Sequence, residues 1–302
     1  MGLMDTVAAP AEPRTEASAR RLRWTARGSE ALVRAISLLV LVVLVAALLL
    51  PILWMALAAF KNDIELFHSP PPLLPPHPTL QAFQYLLGEP RYLKMLGNSY
   101  LISTLVMLLS TGLAFLAGYG FSRYRLWGGE ALLLVTLFSQ MFPQVSLIIP
   151  YYNILNRLGL YDTYWGLVLA DTSFIVPFCI WMFKNYLDSI PPELEEAAMV
   201  DGASRLTALW RVVLPLTLPG FVATAIYAFL GAWNEYTFAV ILTKTEAASP
   251  ITVGIGEFFG LFTVKWSQMS ALALVASVPL MIIFVFLQRY LMEGMVAGAV
   301  NR

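Results

Sequence analysis

The chain is organised as long apolar stretches separated by shorter polar segments. Six stretches run for more than 20 residues with at most one charged side chain inside each. A membrane-crossing helix needs roughly 20 predominantly apolar residues, so each stretch is long enough to span a bilayer. The pattern therefore predicts six transmembrane helices, at about 35–60, 97–121, 131–154, 163–183, 215–242 and 267–288.

The composition supports a membrane protein and argues against several other classes. Only 13% of the 302 residues are charged, whereas a soluble domain has about 25%. The formal net charge of zero excludes a nucleic-acid-binding protein that relies on bulk positive charge, so we expect a lipid bilayer and no nucleic acid as a partner. The single cysteine, Cys179, excludes an intrachain disulfide, and with two histidines we expect no metal site.

Lysine and arginine predict the orientation of the spans, because these residues are enriched in cytoplasmic loops. Segment 1–34 contains six arginines, and placing it in the cytoplasm puts 13 basic residues inside and six outside. Both termini are then predicted to be cytoplasmic. The segment is rich in Ala, Arg, Glu and Pro, so we predict a disordered tail before one transmembrane domain at 35–302.

The loop 188–214, between the fourth and fifth predicted spans, is predicted to contain two short amphipathic helices. Pro191 and Pro192 precede three glutamates, a favourable helix start because carboxylates there complement the helix dipole. Gly202 is a favourable stop, since glycine adopts the left-handed conformation without steric cost, and Ser204 is a candidate N-cap for the second helix. The first helix is acidic, whereas helices at a lipid surface are usually basic, so we predict that it docks in a groove of another protein.

Residues of this loop resemble those of a known family. Glu196-Ala197-Ala198, then Gly202, Val212 and Leu214-Pro215, is similar to the signature loop of binding-protein-dependent ABC importer permeases, with Val212 where isoleucine is usual. Other motifs resemble the sugar-importing subfamily, and within it the six-helix partner subunit of maltose- and trehalose-type transporters. They are Phe60-Lys61, Asn98-Ser99, Gln140–Pro143, Pro150–Tyr152, Trp233–Tyr236 and the ending Gly294–Val300.

The resemblance implies an all-α type I importer permease fold with a cytoplasmic coupling helix between helices four and five. It implies import of a sugar, such as a disaccharide or another oligosaccharide, across the cytoplasmic (inner) membrane of a prokaryote by alternating access. The implied partners are a second homologous permease subunit, a homodimeric ATPase and an extracytoplasmic sugar-binding protein. The chain lacks the Gly-x-x-x-x-Gly-Lys-Ser/Thr motif, so we expect no enzyme activity and no bound cofactor here, with ATP and Mg on the ATPase.

Two sets of functional residues follow. By the resemblance, the residues that couple the chain to the ATPase are Leu194, Glu196, Ala197, Ala198, Met199, Asp201 and Gly202. Substrate-path candidates are polar and aromatic side chains inside the spans, because sugars stack on aromatic rings and bond amides and carboxylates through their hydroxyls. These candidates are Gln140, Gln144, Tyr227, Trp233, Asn234 and Glu235.

Some questions stay open in the sequence. Glu235 is either a substrate contact or a structural bond to a neighbouring helix. Asp171 lies about 12 Å along the fourth span, and we predict that it is solvated near the outer interface. Pro143 and Pro150 are predicted to kink the third span.

Alternative functions also remain open. A permease for a glycerol-3-phosphate-like or other non-sugar solute would share several of these motifs. A secondary transporter would show internal repeats, and none is evident. A membrane enzyme would need a catalytic constellation, and no histidine lies in a predicted span.

Overall fold

A computed structural model of the protein describes residues 16–260 and 263–299, with side chains described for 32–260, 263–282 and 285. The described residues form helices and loops and no β-strand, which confirms the predicted all-α class. The helices are α1 (Glu16–Ala58), α2 (Asp63–Leu66), α3 (Gln81–Gly88), α4 (Pro90–Arg123), α5 (Gly129–Phe138), α6 (Ile148–Arg157), α7 (Tyr164–Asp188), α8 (Glu193–Val200), α9 (Arg205–Ala208), α10 (Leu214–Leu216), α11 (Leu218–Trp233), α12 (Thr237–Leu242), α13 (Ile251–Gly256) and α14 (Trp266–Ala299).

The chain divides into two compact units, of which the first ends at Met55. This unit contains most of α1, and Leu32–Ala58 is long and apolar enough to cross a membrane. Residues 16–34, which we expected to be disordered, are helical. The rest of the predicted tail, 1–15, lies outside the described residues.

Helices α4, α7 and α11 form the centre of the second unit, which begins at Ala56. Their shared core includes Val106 and Phe115 from α4, Val168 and Phe183 from α7, and Ala228 from α11. This packing fixes the three helices relative to one another, so side chains at the same height on neighbouring helices face each other.

Helices α4 and α7 approach each other closely at Gly118. A Cβ atom at this position would lie 3.1 Å from the Cβ of Phe183 and 3.1 Å from the backbone nitrogen of Lys184. Helices in a bilayer associate through van der Waals packing, and small residues allow their backbones to approach. Gly118 therefore allows close packing of the C-terminal ends of α4 and α7, next to the point where the chain enters the loop 188–214.

The third and fifth predicted spans are broken helices, and the predicted kink at Pro143 in the third span is confirmed. The chain bends by 95° between 129–141 and 144–157, because Pro143 lacks an N–H and restricts the residue before it. The predicted kink at Pro150 is wrong, since this residue lies in the first turn of α6, where a missing N–H leaves no bond unmade. In the fifth span, α11 ends at Trp233 and α12 begins at Thr237.

The number of spans depends on how two bent pairs of helices are counted, 129–141 with 144–157 and Arg205–Leu216 with Leu218–Trp233, of which the second bends by 76°. In the described part of the chain, three helices are long and apolar enough to cross a membrane, or up to five if each bent pair is one span. The part of α14 that enters this comparison, Trp266–Ile282, is shorter than a full span. The predicted count of six stays a prediction.

The motif Asn98-Ser99 at the start of the second span holds the loop that follows α12. The Asn98 amide donates to the carbonyl oxygens of Glu246 (3.1 Å) and Ser249 (2.8 Å), and the Ser99 hydroxyl accepts from the N–H of Ile251 (2.8 Å). The loop is therefore fixed to α4, which helps to position α12 and the break that precedes it.

Candidate functional sites in the helical core and at helix α8

The two broken spans enclose a polar cavity of about 240 Å³ in the second unit. Its lining includes five of the predicted substrate-path residues: Gln140, Gln144, Tyr227, Asn234 and Glu235. The breaks explain why polar side chains gather here, because an interrupted helix frees backbone groups that must find partners inside the protein. The structure thus brings together predicted residues from the third and fifth spans, and Asp171, Phe174 and Ile175 of the fourth span complete the wall.

Glu235 is held by the start of α12. Its Oε1 accepts from the N–H of Phe238 (2.7 Å) and from the Gln144 amide (2.8 Å), and its Oε2 accepts from the N–H of Ala239 (2.9 Å). The carboxylate thereby satisfies N–H groups that a helix start leaves unpaired, and its charge suits the positive end of the helix dipole. Glu235 therefore forms structural bonds and also lines the cavity.

The other cavity residues are positioned by their own helices. The Gln140 amide donates to the carbonyl oxygen of Phe174, across the cavity on α7. The Asn234 amide donates to the carbonyl of Leu230 at 2.8 Å, one turn earlier on α11. The ring of Tyr227 packs on Phe178, with 4.7 Å between the ring centroids, and still contributes to the cavity wall. The cavity thus combines amide, carboxylate and aromatic groups.

Trp233, the sixth predicted substrate-path residue, does not line this cavity. Its side chain is buried with 6% exposed, and its ring packs against Tyr100 at 4.7 Å and Phe229 at 5.7 Å between centroids. It belongs to an apolar cluster that also contains Met95 and Leu272. The structure therefore places Trp233 in the packing of α4, α11 and α14.

The environment of Asp171 differs from the one predicted from the sequence. We expected a solvated side chain near the outer interface, but the structure buries it to 1% exposure and places it in the cavity wall. Gln140, Gln144 and residues 234–236 at the two breaks line the same cavity as Asp171. Distance along a helix gives the depth of a residue but not which neighbours cover it.

The second candidate site is the exposed helix α8 with the turn after it. Most of the predicted coupling residues are exposed, and Leu194 has 47% of its surface accessible. Ala198 and Met199 are half-buried, and the exposed residues are Leu194, Glu196, Ala197, Asp201 and Gly202. Val200 (87%) and Leu206 (65%) add apolar surface beside them. An exposed surface with both apolar and acidic side chains suits contact with another protein.

The local predictions for this loop are confirmed. Gly202 has a φ of +92°, in the left-handed region that residues with a side chain rarely adopt, and it follows Asp201, the C-cap of α8. The Ser204 hydroxyl accepts from the N–H of Thr207 at 3.2 Å and so caps the next helix. The bend between α8 and α9 is therefore encoded by residues within it.

Glu195 anchors α8 to the end of α4, and sequence reasoning missed this role. Its side chain is buried, its Oε1 accepts from the Tyr119 hydroxyl, and its Oε2 lies 3.4 Å from Arg123 Nε in an ion pair without hydrogen-bond geometry. Arg123 also donates to the carbonyl of Ile190 at 3.0 Å. The i, i+4 spacing of Tyr119 and Arg123 was visible in the sequence, but their pairing with Glu195 across a long separation was not.

A second contact supports the same junction. The Ser122 hydroxyl donates to Asp188 at 2.7 Å, and the Lys184 ammonium donates to the same carboxylate at 2.6 Å. The ends of α4 and α7 are therefore joined where the chain enters the loop.

Among the described residues, no group of three His, Cys, Asp or Glu side chains could hold a metal ion.

Comparison with known proteins identifies the family. Residues 110–296, which include both sites, match the family of the binding-protein-dependent transport system inner membrane component. The chain is 32% identical to the trehalose/maltose transport system permease protein MalG of Thermococcus litoralis, over 84% of this chain and 91% of that protein. It is also 32% identical to the trehalose transport system permease protein SugB of Mycobacterium tuberculosis, over 84% of this chain and 92% of that protein.

A solved structure shows the same fold. A chain of a bacterial ABC transporter involved in the import of the acidic polysaccharide alginate superimposes with a TM-score of 0.71 at 21% identity, covering 87% of this chain and 97% of that one. The family match covers more than half of the chain, and it includes the broken spans, the cavity and α8. The protein is therefore a member of the family of inner membrane components of binding-protein-dependent transport systems.

Proposed function

We propose that this chain is a transmembrane subunit of an ATP-driven importer that moves a sugar into the cytoplasm, with ATP hydrolysed on a separate subunit. The observation that carries the proposal is the anchoring of α8. A short helix with an exposed apolar and acidic surface is locked to α4 through the buried Glu195. A force applied to such a helix is passed to the spans rather than lost in a flexible loop.

The coupling residues act at two levels in this proposal. Leu194, Ala197 and Ala198 contact the ATPase, because an apolar side chain and two small residues allow close approach. Gly202 sets the bend that presents this surface. ATP-driven closure of the ATPase then moves α8, and the spans change between inward-open and outward-open states around the cavity.

The chemistry of the cavity supports a sugar as the solute. Amide and carboxylate groups bond hydroxyls, and the rings of Tyr227 and Phe174 offer faces for the apolar side of a sugar ring. The names of the relatives, which transport trehalose or maltose, support the same class. The alternative solute, a glycerol-3-phosphate-like anion, is less well supported, because the described lining residues include Asp171 and Glu235 and no lysine or arginine.

The remaining parts of the importer are proposed from the family. A second homologous permease subunit supplies the other wall of the solute path, a homodimeric ATPase binds α8, and an extracytoplasmic sugar-binding protein delivers the solute. The excess of basic residues supports cytoplasmic termini. A reporter fused after Arg302 or inserted at Gly128 should be active only in the cytoplasm, and an extracytoplasmic signal at either point would reverse the orientation.

The proposal is tested with the assembled complex in proteoliposomes. ATPase activity and uptake are measured with the binding protein and a panel of trehalose, maltose and diacetylchitobiose, with glycerol 3-phosphate as the non-sugar comparison. We expect at least one sugar to be taken up and to raise ATPase activity. Uptake of glycerol 3-phosphate alone would overturn the sugar assignment, and uptake without ATP would overturn the ATP-driven mechanism.

A further inference from the structure

The cavity contains one carboxylate that has no partner in the described part of the protein. Asp171 is 1% exposed, and neither of its oxygens has a hydrogen-bond partner there. Burial of a polar group costs free energy unless it is hydrogen-bonded, and an intramembrane carboxylate usually marks a solute or ion path. Asp171 therefore holds two buried acceptor atoms without hydrogen-bond partners in the cavity wall.

Glu235, the other carboxylate of the cavity, has hydrogen-bond partners. It already accepts from two backbone N–H groups and from the Gln144 amide. Any donor that enters the cavity would have to compete with these bonds to reach Glu235, whereas the buried oxygens of Asp171 have no such bonds to displace. The two carboxylates thus have separate roles, one structural and one available to a ligand.

The cavity also indicates which ligands it disfavours. Asp171 and Glu235 line one space, and among the described residues no lysine or arginine lines it. A phosphate or carboxylate would find no cation of this chain to pair with, whereas a hydroxyl would meet acceptors. The volume of about 240 Å³ is below the roughly 300–1,000 Å³ of pockets for whole drug-sized ligands, so it suits one ring of a larger sugar.

We propose that Asp171 is the residue that binds the transported sugar, by accepting from hydroxyls of one ring, and that it restricts the solute to neutral sugars. The inference rests on the proposed function and adds to it a specificity-determining residue and a solute class. The aromatic ring of Tyr227 then packs on the apolar side of the same sugar ring. Sugars that carry a phosphate or a carboxylate are disfavoured, because no described lysine or arginine lines the cavity to pair with their charge.

The first test compares Asp171→Asn with Thr172→Val in the complete complex. Thr172 is the next residue on α7, is buried with an unpartnered hydroxyl, and is not part of the cavity lining, so it is a matched control. With the panel sugar that the wild type takes up fastest, we expect Asp171→Asn to lower uptake about tenfold or more. ATPase stimulation by the binding protein should stay within about twofold, and Thr172→Val should behave as wild type.

Wild-type uptake by Asp171→Asn would overturn the inference while leaving the proposed function intact. The opposite case, in which the wild type takes up no sugar of the panel, is a failure of the proposed function itself. The two failures are therefore distinguishable within one experiment.

A second test needs no variant, so it does not depend on the folding of Asp171→Asn. The wild-type complex without binding protein is treated with a hydrophobic carbodiimide, and labelling of Asp171 is followed by mass spectrometry. The neutral panel sugar should slow labelling at least about threefold, and its 6-phosphate at the same concentration should not. Protection by neither compound, or equal protection by both, would overturn the inference.

Discussion

Removing the charge of Glu195 should loosen helix α8 from the end of α4. The substitution Glu195→Gln keeps the size of the side chain and one acceptor for the Tyr119 hydroxyl. It removes the negative charge that faces Arg123, in a pair whose side chains are only 6% and 9% exposed. Because the pair is buried, the charge is poorly screened by solvent and its loss should be measurable.

The magnitude follows from the two contacts. A hydrogen bond to a charged group contributes about 1.5–3 kcal/mol, compared with about 0.5–1.5 for a neutral one, so the Tyr119 contact should lose about 1 kcal/mol. Leaving a buried guanidinium without its counter-charge costs up to about 3–5 kcal/mol, and the bond from Arg123 to Ile190 reduces this. We expect the free energy of unfolding to fall by about 2–3 kcal/mol.

The assay is thermal unfolding of the purified complex together with the amount of sugar transported per ATP hydrolysed. The matched control is Glu193→Gln, an exposed glutamate in the first turn of the same helix, whose effect should stay within about 0.5 kcal/mol. If α8 is loosened, ATP hydrolysis should continue while transport per ATP falls.

A double-mutant cycle makes this prediction specific. Tyr119→Phe removes the hydroxyl that donates to Glu195, and the two substitutions together should cost less than the sum of their separate effects because they share one contact. Additive effects, or a Glu195→Gln complex that melts and transports like Glu193→Gln, would refute the idea that this contact anchors α8.

Three further predictions concern single residues. Gly202→Val should abolish transport while assembly persists, because a β-branched residue resists a φ of +92°, and normal uptake at normal expression would contradict this. Glu235→Gln should lower the free energy of unfolding by about 1–2 kcal/mol, because it weakens the cap at the start of α12. The order of preferred sugars should stay unchanged, and a changed order would make Glu235 a solute contact. Burial raises the pKa of Asp162, but hydrogen bonds from the backbone N–H groups of Lys244 and Thr245 and from the Thr245 hydroxyl outweigh it and lower the pKa overall. Asp162 thus stabilises the protein above its usual pKa near 4 and loses this contribution as the pH falls through the lowered pKa. The substitution Asp162→Asn should therefore reduce the melting temperature at pH 7 and make the melting temperature fall less steeply in acid. Identical profiles of melting temperature against pH for the variant and the wild type would contradict this.

The sequence by itself determined features that depend on neighbouring residues. The all-α class and the long apolar helices follow from the length of hydrocarbon that a helix must cross. The bend after α8 follows from Gly202, whose missing Cβ permits the left-handed conformation, and the next helix start follows from the Ser204 hydroxyl. Such signals are short-range, so they can be interpreted without knowing what packs nearby.

Features that depend on distant neighbours could not be predicted in this way. Asp171 was expected to be solvated and is buried, and Trp233 was expected to lie along the substrate path and is packed in an apolar cluster. For each residue the sequence gives a position along a helix. Which side of that helix faces a cavity, another helix or lipid depends on residues that are distant in the sequence, such as Glu235 for Asp171 and Tyr100 for Trp233.

The broken spans show most clearly which features the sequence predicts and which ones depend on tertiary contacts. Apolar composition predicted that 131–154 and 215–242 cross the membrane, and the proline at 143 predicted a kink, but neither gave the 95° bend or the gap between Trp233 and Thr237. A helix breaks inside a membrane protein only where the freed N–H and C=O groups find partners. Here the carboxylate of Glu235 accepts from the N–H groups of Phe238 and Ala239 at the start of α12, so only the tertiary structure could decide where the helices end.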